Sequence, residues 1–157
     1  MEKLTPQDPI QVCQIEELTE DEQNLIELAI EATTRSYSPY SHFSVGAAVL
    51  LENGVTMIGC NQENAAFPVS ICAERVALFA AGAQYPSVSV AMLAIAARDG
   101  NGILQNEPVS PCGSCRQAIL ETETRFNHPV KILLYGQKKV YVVESIKALM
   151  PLAFTEF

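Results

Sequence analysis

Apolar positions change period several times along this chain, and each change marks an element. Thr19-Glu20-Asp21-Glu22 has the form of a capping box, with Glu22 three residues after the Thr19 cap. Leu25, Ile26, Ala29 and Ile30 then recur at helical spacing, predicting a first helix of about four turns. Ser38-Pro39-Tyr40-Ser41 closes it with a turn. Two runs rich in β-formers follow, Phe43–Leu51 and Val55–Cys60, joined by Glu52-Asn53-Gly54. Asn-Gly between such runs is a strong hairpin signal. Beyond a polar loop at 61–70, the spacing of Ala73, Val76, Ala77, Phe79, Ala80 and Ala81 predicts a second helix, dense enough in apolar residues for burial on more than one side.

Val88–Ala97 is nearly unbroken apolar sequence, as in a strand covered on both faces. A loop at 98–110 leads to a third helix starting at Pro111 and running to about Thr124. Val130–Tyr135 and Val140–Val143 read as two more strands, and Ser145–Met150 as a short last helix. The order α-β-β-α-β-α-β-β-α predicts a three-layer α/β/α fold around a five-stranded mixed sheet. Residues 1–18, with two prolines and scattered acids, read as an extended arm outside the core. Residues 19–157 then form a single domain, a length that can bury one sizeable core.

Composition narrows the function. Apolar residues make up 48% and charged residues 18%, a globular balance, while the net charge of −8 disfavours a phosphate-tracking surface. No nucleic-acid partner is therefore expected; the expected substrate is a small molecule. No apolar run is long enough to span a bilayer, and the N-terminus has no apolar leader core, so a cytoplasmic protein without membrane attachment is expected. Five cysteines at this spacing point to metal or chemistry rather than to disulfides.

Three of those cysteines and one glutamate carry the chemistry: Cys72-Ala73-Glu74 and Pro111-Cys112-Gly113-Ser114-Cys115. Cys112 and Cys115 lie one helical turn apart, so both sulfurs can reach one ion. Cys72 opens its own helix, and a helix start favours the thiolate that binds zinc. No residue is spaced to supply a fourth ligand: Cys60, Cys13, His42 and His128 stand apart. A site with three protein ligands leaves one position for water, as in catalytic zinc centres. Three thiolates with Zn²⁺ sum to a net charge of −1, and Arg75 is the cation available to offset it by hydrogen bonds to sulfur. Glu74 is placed to move protons at the open position. A structural zinc knot and a C-x-x-C redox pair are the competing readings; the second leaves Cys72 and Glu74 unexplained.

These residues resemble the zinc-dependent cytidine deaminase family, in its small homotetrameric, three-cysteine form. The resemblance extends to Ser38–Ala48, to Gly59-Cys60-Asn61-Gln62-Glu63-Asn64-Ala65-Ala66, to Ile71–Arg75 and to Pro111–Gln117. It implies a cytidine deaminase-like fold and hydrolysis of cytidine and 2′-deoxycytidine to uridine and 2′-deoxyuridine, with release of ammonia. It implies one zinc per chain on Cys72, Cys112 and Cys115, with Glu74 as the catalytic acid and base. By the same resemblance Phe43 packs on the pyrimidine, Asn61 and Glu63 bind a ribose hydroxyl, and the Ala73 backbone reads the base edge. Arg75 and Gln117 resemble donors to the thiolates. Phe154 resembles an aromatic lent to a neighbouring subunit's site, in a homotetramer with sites near its interfaces. Leu152 stands where the family commonly has glycine, and Phe67 where it commonly has tyrosine. A deaminase of another nucleoside, or a zinc-binding interaction module, remains the alternative.

Overall fold

The computed structural model describes residues 9–155. Its elements run β1 (Gln11–Cys13), α1 (Glu20–Ala32), β2 (Ser44–Leu51), β3 (Thr56–Cys60), α2 (Ala73–Gln84), β4 (Val90–Arg98), α3 (Gly113–Phe126), β5 (Lys131–Gly136) and β6 (Lys139–Val143), then a 3₁₀ turn at Ile146–Leu149. The strands form one sheet in the order β1-β6-β5-β4-β2-β3. Only β4 and β5 pair in parallel, through the α3 crossover; every other pair is antiparallel.

Period-two alternation divides the core. On β2, Ala47, Val49 and Leu51 face α2 and α3, packing with Ala77, Leu78, Ala81, Ile119 and Leu120. Ala48, between them, faces the other way and packs under Leu25, Ile26 and Ala29 of α1. The result is the expected three layers, with α1 on one face and α2 and α3 on the other. The Thr19–Glu22 capping box is formed in both directions. The β2–β3 hairpin turns through Gly54, whose φ of +83° is the left-handed conformation that Asn-Gly announces.

The sheet has six strands rather than five. The additional strand is β1, inside the segment read as an arm: Gln11, Val12 and Cys13 pair with Val142, Tyr141 and Val140 of β6. Without it the outer edge of β6 would carry unpaired backbone groups. Residues 1–8 of that arm lie outside the described residues. The third helix also begins later than its sequence suggests. Cys112 holds extended backbone angles (φ −68°, ψ 168°) and caps the helix, so Pro111 precedes the cap instead of opening the first turn.

One topological consequence positions the site. β3 and β4 both run antiparallel to β2, so they run parallel to each other, and each is followed by a helix on the same face. The starts of α2 and α3 therefore meet at one end of the sheet, beyond the carboxyl ends of β3 and β4. That is where open α/β sheets place ligands.

Candidate metal centre and substrate clasp

The chain reversal brings Cys72, the cap of α2, to Cys112, the cap of α3, across 40 residues of sequence. Their sulfurs are 3.8 Å apart, and Cys112 lies 3.5 Å from Cys115 in the first turn of α3. All three sulfurs fall within 4.8 Å of one another, and among the described residues no histidine or carboxylate joins the group. Tetrahedral zinc with bonds of about 2.3 Å requires sulfurs about 3.8 Å apart, so the donor set fits the ion. Cys115 is fully buried and Cys112 exposed, which makes the cup closed below and open above.

The cup's electrostatics favour thiolate and a protonatable carboxylate. Cys72 is lowered to about 5 by the hydrogen bond from Cys115, against its burial, with Arg75 and Cys112 adding to the effect. Cys115 is raised, first by that same hydrogen bond and then by burial beside Glu74. A bound cation would displace these thiol protons. Arg75 donates from Nη2 to the Cys72 sulfur at 3.8 Å. Glu74 is 4% exposed in the first turn of α2, and burial raises its carboxyl above the ordinary range, with the Cys72 charge adding to it. A solvated first-turn glutamate would lack this burial.

Gly59 sets how closely α2 approaches the sheet. A Cβ there would lie 2.5 Å from both the Ala73 carbonyl oxygen and the Ala77 nitrogen, so only glycine lets the start of α2 rest on β3. Ala73 itself is fully buried.

Next to the cup lies a second constellation built from loops. Gln62 pairs with Ile71 through two backbone hydrogen bonds of 3.0 Å, drawing the base of loop 61–71 together just before Cys72. Asn61 and Glu63 flank that pair. The Asn61 Oδ1 accepts from Ser36 Oγ at 2.5 Å and from the Val45 N–H at 2.8 Å, while its Nδ2 donates to the Phe43 carbonyl at 2.9 Å. Since the Val45 amide can only donate, these bonds fix the orientation of the Asn61 side chain. Glu63 Oε2 accepts from the Tyr40 and Ser41 N–H groups at 2.9 and 3.3 Å, and Oε1 accepts from Ser41 Oγ. The Ser41 bond, foremost, holds the Glu63 carboxyl below its ordinary range. Phe43, half-buried, stands just ahead of β2.

The remaining site candidates are placed differently from the cup. The Gln117 amide donates to the Phe154 carbonyl at 3.2 Å, holding the tail on α3, and among the described residues no bond from it to a sulfur is formed. Phe154 is 67% exposed. Phe67, also exposed, meets Tyr40 edge-on with ring centroids 5.8 Å apart. Sequence reasoning passed over Ser36, Ser41 and Glu123. Glu123 is buried and accepts from the Val130 and Ile146 amides, both at 2.9 Å, and from Ser145 Oγ at 2.8 Å, tying α3 to β5 and to the closing turn. Its only sequence signal is an acid placed on an otherwise apolar helical stripe.

A three-sulfur cup at paired helix starts, with a buried carboxylic acid beside it, defines a zinc-dependent hydrolytic centre. Comparison with known proteins gives the family. Residues 19–127 match the cytidine and deoxycytidylate deaminase zinc-binding region. The cytidine deaminase of Sporosarcina psychrophila is 37% identical over 136 residues, 87% of this chain and 93% of that protein. That of Halalkalibacterium halodurans is 43% identical over 101 residues, 64% of this chain and 71% of that protein. The crystal structure of cytidine deaminase from Burkholderia pseudomallei superposes with a TM-score of 0.70 at 34% identity, over 87% of this chain and all of that one. The chain belongs to the cytidine and deoxycytidylate deaminase family.

Proposed function

We propose that this protein catalyses zinc-dependent hydrolytic deamination of cytidine and 2′-deoxycytidine to uridine and 2′-deoxyuridine, releasing ammonia. The observation that carries this reading is the three-sulfur cup with the buried Glu74 two residues from its first ligand. The relatives named cytidine deaminase, at 37% and 43% identity, support the choice of substrate.

Zinc held by Cys72, Cys112 and Cys115 would supply a Lewis acid that lowers the pKa of a water and stabilises charge on its oxygen. Glu74 would accept a proton from the attacking water and deliver it to N3 while the water's oxygen bonds to C4 of the base. The same carboxyl would then carry the water's second proton to the amino group, which leaves as ammonia as the C4–N bond breaks and the C4 carbonyl forms. Burial suits Glu74 to this work, because it raises the carboxyl above its ordinary range and so favours a group that both accepts and returns a proton. Arg75 offsets the surplus negative charge of three thiolates through its bond to Cys72. The Ala73 N–H, in the unpaired first turn of α2, reads the base edge, and Phe43 packs on the ring.

The clasp recognises the sugar. Asn61 Nδ2 has one N–H left after its bond to Phe43, and Glu63 Oε1 has one lone pair left after its bond from Ser41. A group that accepts from the first and donates to the second is a hydroxyl, as ribose offers. Gln117 acts through the tail it holds.

The working assembly is a homotetramer with its sites near subunit interfaces. The outer face of α2 leaves Phe79 55% exposed, beside a cavity of about 610 Å³ between α2 and α3 that includes Arg75, Gln117 and Phe126. A neighbouring copy covering this face would bury that surface and bring Phe154 to another subunit's pocket. Five free cysteines fit a reducing compartment such as the cytoplasm. None of the helices among the described residues is long and apolar enough to cross a membrane.

The test is direct. Purified protein should bind one zinc per chain and convert cytidine to uridine with one ammonia released per turnover. Chelation should abolish turnover and added zinc restore it. Zinc binding without deamination of either nucleoside would leave only a structural metal site. Light scattering on the active protein should give four chains per particle; an active monomer would remove the role given to Phe154.

A further inference from the structure

We propose that Ser41 is a positioning residue that fixes the free oxygen of Glu63 toward the sugar hydroxyl and so sets affinity for ribose-bearing substrates. The inference rests on the reading of Glu63 as the hydroxyl acceptor.

The geometry leaves Ser41 little freedom. Its Oγ accepts from the Phe43 N–H at 3.1 Å, the short turn that serine hydroxyls make two residues back from an amide. A backbone N–H can only donate, so the single hydroxyl proton is available to the carboxylate, and it goes to Glu63 Oε1. His42, between them, is held at φ 55°, a left-handed conformation that few non-glycine residues adopt. That turn aims the Ser41 hydroxyl and the Phe43 backbone at each other.

The two oxygens of Glu63 are held unequally. Oε2 has two backbone amides, whereas among the described residues only Ser41 bonds Oε1. Oε1 is therefore the oxygen with capacity left for a ligand, and a single hydroxyl fixes its direction. Asn61, by contrast, is held by three separate partners. One side chain thus links the carboxylate at the sugar end to the backbone of the ring at the base end.

Removing the Ser41 hydroxyl leaves Glu63 in place but lets its plane swing about the Oε2 anchor. The expected loss is that of a hydrogen bond to a charged group, about tenfold in affinity. Ser41→Ala should raise KM for cytidine about tenfold with kcat changed by less than about threefold, and Ser41→Cys, of similar shape but a weak donor, should behave alike. Ser41→Thr should restore KM. With 2′,3′-dideoxycytidine, which lacks the 2′ and 3′ ring hydroxyls that Glu63 is read to accept from, the alanine and wild-type proteins should differ by less than about twofold. In a Glu63→Ala background Ser41→Ala should add less than about twofold. If Glu63→Ala raises KM for cytidine and Ser41→Ala does not, the positioning role is wrong while the hydroxyl reading stands. If Ser41→Ala raises KM equally for cytidine and dideoxycytidine, Ser41 acts on the loop as a whole and the proposal fails. If Glu63→Ala itself leaves KM unchanged, the hydroxyl reading falls, and the proposal with it.

Discussion

The metal cup and the loop clasp proposed to bind the sugar stand side by side and are built by opposite means. The cup hangs its reactive groups on helix starts: Cys72 and Cys112 as caps, Glu74 and Cys115 in first turns, with Glu74 and Cys115 buried. The clasp puts Asn61 and Glu63 on loops and holds them by side-chain bonds to residues 16 to 25 positions away. Helix starts supply aligned dipoles and low conformational freedom, which suit groups that must hold a metal and move protons. Loop groups braced by hydrogen bonds suit recognition, where a misplaced contact weakens binding without disabling the chemistry. Substitutions in the cup should therefore act on zinc content and kcat, and substitutions in the clasp on KM.

Cys115→Ala tests the first half most severely. It removes the buried sulfur that both neighbours share, so metal analysis should show well under one zinc per chain and turnover should vanish with it. Full zinc with full activity would mean that two sulfurs suffice, and the cup would have to be redrawn. Glu74→Gln separates metal from proton transfer. It should keep one zinc per chain while kcat falls about 10²–10⁴-fold, the range of a lost general acid–base group. A near-normal rate would move the proton chemistry to another residue.

How much of this was legible in the sequence follows the same division. The cup was readable because helical spacing is local: residues three apart share a face, and caps announce themselves. Only its first turn shifted, since Cys112 rather than Pro111 ends the extended segment. The layers were readable from the helical spacing of Leu25, Ile26, Ala29 and Ile30 and from the nearly unbroken apolar run Val88–Ala97. The strand β1 was not, because three residues are too few to show alternation, and they become a strand only when β6 offers an edge. The bonds of Ser36 and Ser41 were not readable either. A serine near a turn bonds its own backbone by default, and nothing in its spacing names a carboxylate 22 residues away.

Gly59 joins the two regions, since it touches α2 and lies two residues before Asn61. Gly59→Ala forces backbone apart on both sides of the new methyl. Overpacking of this kind costs about 1–3 kcal/mol, or roughly 3–10 °C in Tm. If the regions are coupled through β3, kcat and KM should both worsen, and zinc affinity should weaken measurably by competition with a chelating dye. A lower Tm with unchanged kinetics would show that α2 carries the cup independently of the strand beneath it.

Ser36→Ala should have the smallest effect and sharpens the comparison within the clasp. Ser36 donates to Asn61 Oδ1 at 2.5 Å, yet the Val45 amide donates to the same oxygen and the Phe43 carbonyl holds the other end. Losing one of three restraints leaves the amide oriented, since Val45 is part of β2 and cannot follow the mutation. KM for cytidine should rise by less than about threefold and Tm fall by about 1–4 °C, the share of one neutral hydrogen bond. Ser41→Ala, removing the sole restraint on Glu63 Oε1 among the described residues, should exceed it clearly in KM. Equal shifts from the two serines would mean that the clasp behaves as one pliable loop, with redundancy of bonding playing no part in how firmly each group is held.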